Sequence, residues 1–252
     1  MNLDRVTITG ADNSITPNDL VALSQEFPFV EWGILASESN TNAGGSPRFP
    51  GWEWMVRLQA TSYLNPMKLS LHLCGRWVRG MLAGRTYDEL REGSLFQFQR
   101  VQLNFHADKT QCYPKAFAVA LKALGKRQII FQIDGERGNE HLQSVYELEP
   151  GWLDAVGLFD VSGGAGISPT EWPKPYFMLT DADYAYHGYA GGLGPDNLER
   201  ELGRISGAAG DCRIWIDMET KVRSSDDRQF DLVKVRRCLE IAAPFVQQTA
   251  VA

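Results

Sequence analysis

The chain has 252 residues, 44% of them apolar and 22% charged, which is long for one ordinary domain but matches the size of an eight-fold α/β barrel. Its formal charge of −6 excludes a broad electrostatic footprint for nucleic acid or anionic membrane, which needs clustered Lys and Arg. No segment has the unbroken apolar length that crosses a bilayer. The first five residues lack the basic stretch and apolar run of a signal peptide. Cys74, Cys112, Cys212 and Cys238 are widely spaced, so reduced thiols and a cytoplasmic location are expected.

Residues 5–10 form a β-branched run closed by Gly10, and Thr16 with Pro17 then marks a helix start, the hydroxyl as cap and the proline in the first turn. A second strand is expected over residues 29–35. The polar, glycine-rich stretch from Ser37 to Gly51 reads as a long loop, a length that points to function or disorder. Residues 52–65 read as helix, 67–75 as strand, 86–95 as the second half of a helical crossover and 99–105 as the fourth strand. A helix over 112–124 stops at Gly125, before a fifth strand at 128–134. A helix over 141–148, a sixth strand over 155–160, a seventh near 185–190, a helix over 197–206, an eighth strand over 213–219 and a helix over 231–242 complete the pattern. Strands alternating with helices predict a parallel sheet with right-handed crossovers. At this length a single-domain (β/α)8 TIM barrel spanning residues 1–252 is favoured over an open sheet.

In a parallel barrel the polar residues at the C-terminal strand ends face the active site. That face is expected to receive Thr9, Arg48, His72, Asn104, Asp134, Asp160, His187, Asp217 and Glu219. Asp160 ends an apolar strand, where desolvation raises a carboxyl pKa and suits it to acid or base work. Gly163-Gly164-Ala165-Gly166 and Gly191-Gly192-Leu193-Gly194 offer backbone N–H groups to a phosphate, with a helix starting near Pro195 adding its dipole. Arg48, close in sequence to Trp52 and Trp54, suits gripping a planar or carboxylated ligand under a lid. Asp217, Glu219 and Lys221 alternate, which on an extended strand places them on one side. His72 and His187 lack metal-ligand spacing with other His or Cys, so no zinc site is expected. No cofactor is expected either.

The order of these motifs resembles the phosphoribosylanthranilate isomerase family, single-domain (β/α)8 barrels that carry out an Amadori rearrangement. Thr7-Ile8-Thr9-Gly10 is similar to the family's K-I-C-G, Ser46-Pro47-Arg48 to its S-P-R, and Val101-Gln102-Leu103-Asn104 to its V-Q-L-H. Asp160 with Gly163-Gly164-Ala165-Gly166 resembles the strand-six aspartate and G-G-x-G loop. Tyr189 to Asn197 resembles L-A-G-G-L-x-P-x-N, and Asp217 to Arg223 falls on D-x-S-S-G-V-E. The resemblance implies Asp160 as the general acid that helps open the ribose ring and Arg48 as the group that orients a substrate carboxylate. It also places Glu219, Thr220 and Lys221 where the family's Ser-Ser-Gly helps hold the phosphate, so a carboxylate stands there that repels phosphate unless Lys221 or a metal neutralises it.

Thr9 stands where the family has its cysteine base, and a hydroxyl is far too weak a base at neutral pH, so the base would fall to Asp134 or Glu219. Three readings follow. The first is an isomerase acting on a phosphoribosyl or related sugar phosphate, with His72 and Asn104 among the binding residues. The second is a hydrolase or lyase that cleaves a ribosyl or other sugar substrate through Asp160 and Glu219. The third is a barrel that binds a ligand or partner without turnover. The expected partner is a small phosphorylated or ribosyl substrate, with no nucleic acid and no membrane, on a monomer or homodimer.

Overall fold

The computed structural model describes residues 1–91, 95–105, 111–133, 144–145, 147–148, 153–160, 166–175 and 186–246. Eight parallel strands close into a (β/α)8 barrel in chain order. They are β1 (Asn2–Thr9), β2 (Val30–Ser37), β3 (Lys68–Cys74), β4 (Arg100–Leu103), β5 (Gln128–Ile133), β6 (Ala155–Asp160), β7 (His187–Ala190) and β8 (Arg213–Met218). Around them lie α1 (Pro17–Glu26), α2 (Glu38–Asn42), α3 (Trp52–Leu64), α4 (Arg76–Leu82), α5 (Pro114–Ala123), α6 (Leu198–Ala209) and α7 (Leu232–Ala242). No helix among the described residues is long and apolar enough to cross a membrane.

Local chemistry sets the helix ends. Pro17 opens α1, and the Thr16 backbone N–H donates to Asp19 Oδ2 at 2.8 Å, which closes a capping box. Asp231 Oδ1 accepts from the Val233 and Lys234 backbone N–H groups, both at 3.1 Å, and so starts α7.

Several sequence expectations need correction. The stretch from Ser37 to Gly51 is ordered structure: α2, then a two-residue hairpin pairing Gly45–Ser46 with Phe49–Pro50. Of the helix expected over 86–95, the described residues hold a 3-10 turn, Asp88–Leu90, and residues 92–94 lie outside them. The helix expected over 197–206 is present as Leu198–Ala209 with Asn197 as its N-cap, so only its start, expected near Pro195 for the dipole, shifts by three residues. Strand β8 stops at Met218 and Thr220–Val222 forms a 3-10 turn, so Asp217, Glu219 and Lys221 do not share one extended strand. His187 is the first residue of β7 and stacks on Phe159 at 4.9 Å between ring centres, so it sits at the strand's beginning and not at its C-terminal end. The helix expected over 141–148 falls largely outside the described residues.

The strand faces divide two kinds of core. Outward residues such as Trp32, Leu69, Leu71 and Phe131 pack against the helices in one large apolar layer. Inside the barrel, Ile130, Val156, Leu158, Ala190 and Trp215 form a smaller apolar cluster contributed by β5 to β8. The other half of the interior is charged. Fully buried Glu31 accepts from Arg5 Nη1 at 2.9 Å through one carboxylate oxygen. Its other oxygen accepts from Arg100 Nη1 at 2.9 Å and Thr7 Oγ1 at 2.8 Å. The Arg100 guanidinium lies 4.2 Å from the Trp215 ring centre, so a cation–π contact joins the two halves.

Candidate active site

At the C-terminal ends of the strands lies a cavity of about 180 Å³, room for on the order of six waters. His72, Gln102, Gln132, Asp160, Ala190 and Asp217, from β3 to β8, form its floor and walls. Asp160 and Asp217 both pair with Ala190, so the two carboxylates stand at one level with a single strand between them. Asp160 Oδ2 accepts from Gln132 Nε2 at 2.6 Å. Asp217 Oδ1 accepts from Thr9 Oγ1 at 2.7 Å, and its other oxygen lies 3.9 Å from His72 Nδ1.

Burial dominates the protonation of this corner. It pushes the Asp217 pKa up to about 8 against the opposing Thr9 hydrogen bond, and the charges of Glu219, Glu31 and Asp160 add to the rise. Asp217 therefore carries a proton at neutral pH. Burial drives His72 down to about 3, so its imidazole is neutral. Cys74, whose Sγ accepts from Asn104 Nδ2 at 3.3 Å, is no substitute for a thiolate base, because burial pushes its thiol up to about 12.

Gly33 makes the corner fit together. A Cβ at Gly33 would lie 2.1 Å from Thr9 Oγ1 and 2.8 Å from His72 Cε1. Gly33→Ala is expected to push Thr9 off Asp217 and to lower stability by about 1–3 kcal/mol through overpacking. Denaturant unfolding measures the loss, and an unchanged midpoint would refute the crowding.

The rim joins three loops. Gly166, Gly191 and Gly192 meet Thr220 and Lys221 at the cavity edge. Gly192 has φ 61, and a Cβ there would come within 2.5 Å of the Ser168 backbone nitrogen, so this close crossing requires glycine. Asn197 ties the turn through Oδ1 to the Gly194 N–H and through Nδ2 to the Gly192 carbonyl, both at 2.9 Å. Gly163, Gly164 and Asp134 lie outside the described residues.

Arg48 is not in the cavity wall. It donates through Nη1 to Glu219 Oε1 at 2.5 Å and through Nε to Asp227 Oδ2 at 2.7 Å. Its backbone N–H donates to Asp12 Oδ2 at 2.8 Å. Asp12 also accepts from Arg223 Nη2 at 2.8 Å, and Arg223 Nε donates to Asp227 Oδ1 at 2.7 Å. Burial pushes the Glu219 carboxyl upward and the Arg48 charge works against it. Neither Trp52 nor Trp54 reaches the cavity: Trp54 is buried with its Nε1 on the Ile15 carbonyl at 2.8 Å, and Trp52 Nε1 donates to Asn42 Oδ1 at 2.7 Å. Arg48 ties the loops after β1, β2 and β8 together beside the cavity, and the two tryptophans do not line it.

Gln102, quoted only within a motif, and Gln132 were not among the expected site residues. The signal for Gln102 was present, since it stands two residues before Asn104 and so shares a face with it on an extended strand. Gln102 Nε2 donates to Asn104 Oδ1 at 2.8 Å, while Gln102 Oε1 and His72 Nε2 are buried without a hydrogen-bond partner among the described residues. Each such group costs roughly 1–3 kcal/mol. Among the described residues no three His, Cys, Asp or Glu side chains are grouped to hold a metal ion.

The chain matches no protein-family profile, and no curated protein matches it in sequence. Among solved structures it is similar to the phosphoribosyl anthranilate isomerase of Thermococcus kodakaraensis, at 13% identity and a TM-score of 0.48 over 95% of this chain and 99% of the other. It is also similar to a DUF72 family protein from Thermotoga maritima, at 11% identity and a TM-score of 0.42 over 96% of this chain and 99% of the other.

Proposed function

We propose that the chain is an acid–base enzyme that isomerises a small phosphorylated sugar, with Asp217 as proton donor and Asp160 as proton acceptor. The observation that carries this reading is the pair of carboxylates at one level of one cavity, with burial keeping a proton on Asp217. Asp217 gives its proton to the ring oxygen as the bond from that oxygen to C1 breaks. Asp160 then takes the proton from C2, giving an enediol or enolamine, and returns it to C1 while the C2 hydroxyl proton passes back to Asp217; C1 is thereby reduced, C2 becomes the carbonyl and both carboxyls regain their starting states without an external oxidant. Gln132 orients the accepting oxygen of Asp160. The sequence motifs suggested Asp160 as the acid; the raised pKa favours Asp217 for that role and leaves Asp160 as the base.

The glycine turn at Gly191 and Gly192, beside Gly166, Thr220 and Lys221, supports a place for the phosphate at the rim. Arg48 bonds Glu219 and reduces the repulsion a carboxylate would otherwise exert there. The same bond counts against pairing Glu219 with Asp160 for glycosidic cleavage.

The motif order makes phosphoribosylanthranilate the first substrate to try, followed by loss of its fluorescence. Conversion is expected, with kcat lowered by roughly 10²–10⁴ in Asp160→Asn and in Asp217→Asn while both variants stay folded. The wild-type rate should also fall as pH rises through about 8, because the donor loses its proton there. No conversion of this substrate or of a simple pentose phosphate at high enzyme concentration would overturn the proposal.

A further inference from the structure

His72 and Gln102 are register partners on adjacent strands, and both line the cavity floor. Each is nearly fully buried, at 1% and 4% exposure, and each leaves one polar atom without a partner among the described residues: His72 Nε2 and Gln102 Oε1. The remaining polar ends are directed elsewhere. Gln102 Nε2 is committed to Asn104, and His72 Nδ1 faces Asp217. Turning the Gln102 carboxamide over would change which atom is free but would still leave one free.

From this we infer that the His72–Gln102 pair is a subsite for two neighbouring hydroxyl groups, so the substrate presents a vicinal diol to the floor of the cavity. This inference rests on the sugar-phosphate reading and deepens it. A hydroxyl suits both atoms, because it donates to Gln102 Oε1 and either donates to or accepts from His72 Nε2 according to the tautomer of the neutral imidazole. Strand neighbours stand roughly 4.8 Å apart, so the floor meets two adjacent oxygens of one chain or ring. A flat aromatic acid offers no such pair and would leave both atoms unsatisfied. The subsite therefore takes the polyhydroxyl portion of the ligand, next to Asp160 and Asp217, and directs the phosphate toward the glycine rim.

The test is calorimetric binding of D-ribose 5-phosphate against its 2-deoxy and 3-deoxy analogues, which needs no turnover. The wild-type protein is expected to bind the full diol tighter than at least one deoxy analogue by roughly tenfold or more. Gln102→Met, of similar volume, and His72→Leu should each bring that ratio close to one. No discrimination by the wild type, no binding of the sugar phosphate at millimolar concentration, or a ratio that survives in both variants would overturn the subsite. Failure of the isomerase reading looks different: discrimination that depends on Gln102 with no conversion by the wild type leaves the subsite in place and removes the reaction. Conversion that depends on Asp160, with a deoxy ratio indifferent to Gln102, does the reverse.

Discussion

Replacing Glu31 by alanine is expected to destabilise the protein by about 3–5 kcal/mol, because it strands buried positive charge inside the barrel. Glu31 is fully buried and joins Arg5, Arg100 and Thr7 through both carboxylate oxygens. Arg100 is itself buried against Trp215, and its Nε and Nη2 find no partner among the described residues. In a domain of this size the loss corresponds to roughly 6–20 °C in thermal midpoint. Adding Arg100→Met to Glu31→Ala should recover part of it, since removing both partners relieves the unpaired charge. A midpoint within a degree of the wild type in the single variant would show that the triad contributes little.

Acid acts on the same group. Burial alone would raise the Glu31 pKa, but the Arg100 and Arg5 charges outweigh it and hold the carboxyl below its usual range. Its folded pKa is thus depressed, so its stabilising contribution is complete above the unfolded glutamate value of about 4.3 and is lost as pH falls further.

Asp217→Asn is the second large effect, and its sign is opposite. Here the folded pKa is raised to about 8 from the ordinary aspartate value of 3.8. Between those values the folded state holds a proton that the unfolded chain has released. Wild-type stability should therefore decline by about 1.4 kcal/mol per pH unit relative to the asparagine variant across that window. Outside the window the two curves should run parallel. Asparagine keeps an oxygen for the Thr9 hydroxyl, so the comparison isolates the proton. Urea unfolding of both proteins from pH 4 to 9 measures the difference, and a flat difference curve would mean that Asp217 titrates as an ordinary carboxyl.

Most of the barrel was legible because its signals are periodic and local. Short β-branched and apolar runs marked the strands, and Thr16-Pro17 marked the start of α1. What escaped was short or long-range. The five-residue α2 and the two-residue hairpin fall below any periodicity that a window of sequence can register. Strand β8 ends one residue earlier than its polar alternation suggested, because Glu219 turns the chain into the 3-10 segment. The site was legible as a set of strand ends, and Thr9, His72, Asn104, Asp160 and Asp217 do come together near one cavity. The protonation of Asp217 was not legible. The raised pKa of Asp217 depends first on its burial in the assembled barrel and then on charges from β2, β6 and the loop after β8, and no local pattern reports them. The attachment of Arg48 to Glu219, 171 positions away, is likewise a fact of three dimensions.

The charged clamp that joins the loops after β1, β2 and β8 is graded from inside to outside. Its root, Arg223 with Asp12, is buried, with side-chain exposures of 0% and 3%. Its tip is wetter: Arg48 is 23% exposed, and its partners Glu219 and Asp227 are 29% and 43% exposed. Dissolved ions screen exposed pairs far more than buried ones. Rising ionic strength therefore loosens Arg48 from Glu219 and Asp227 while Arg223 and Asp12 keep the loops anchored. Salt tunes the tip and spares the root.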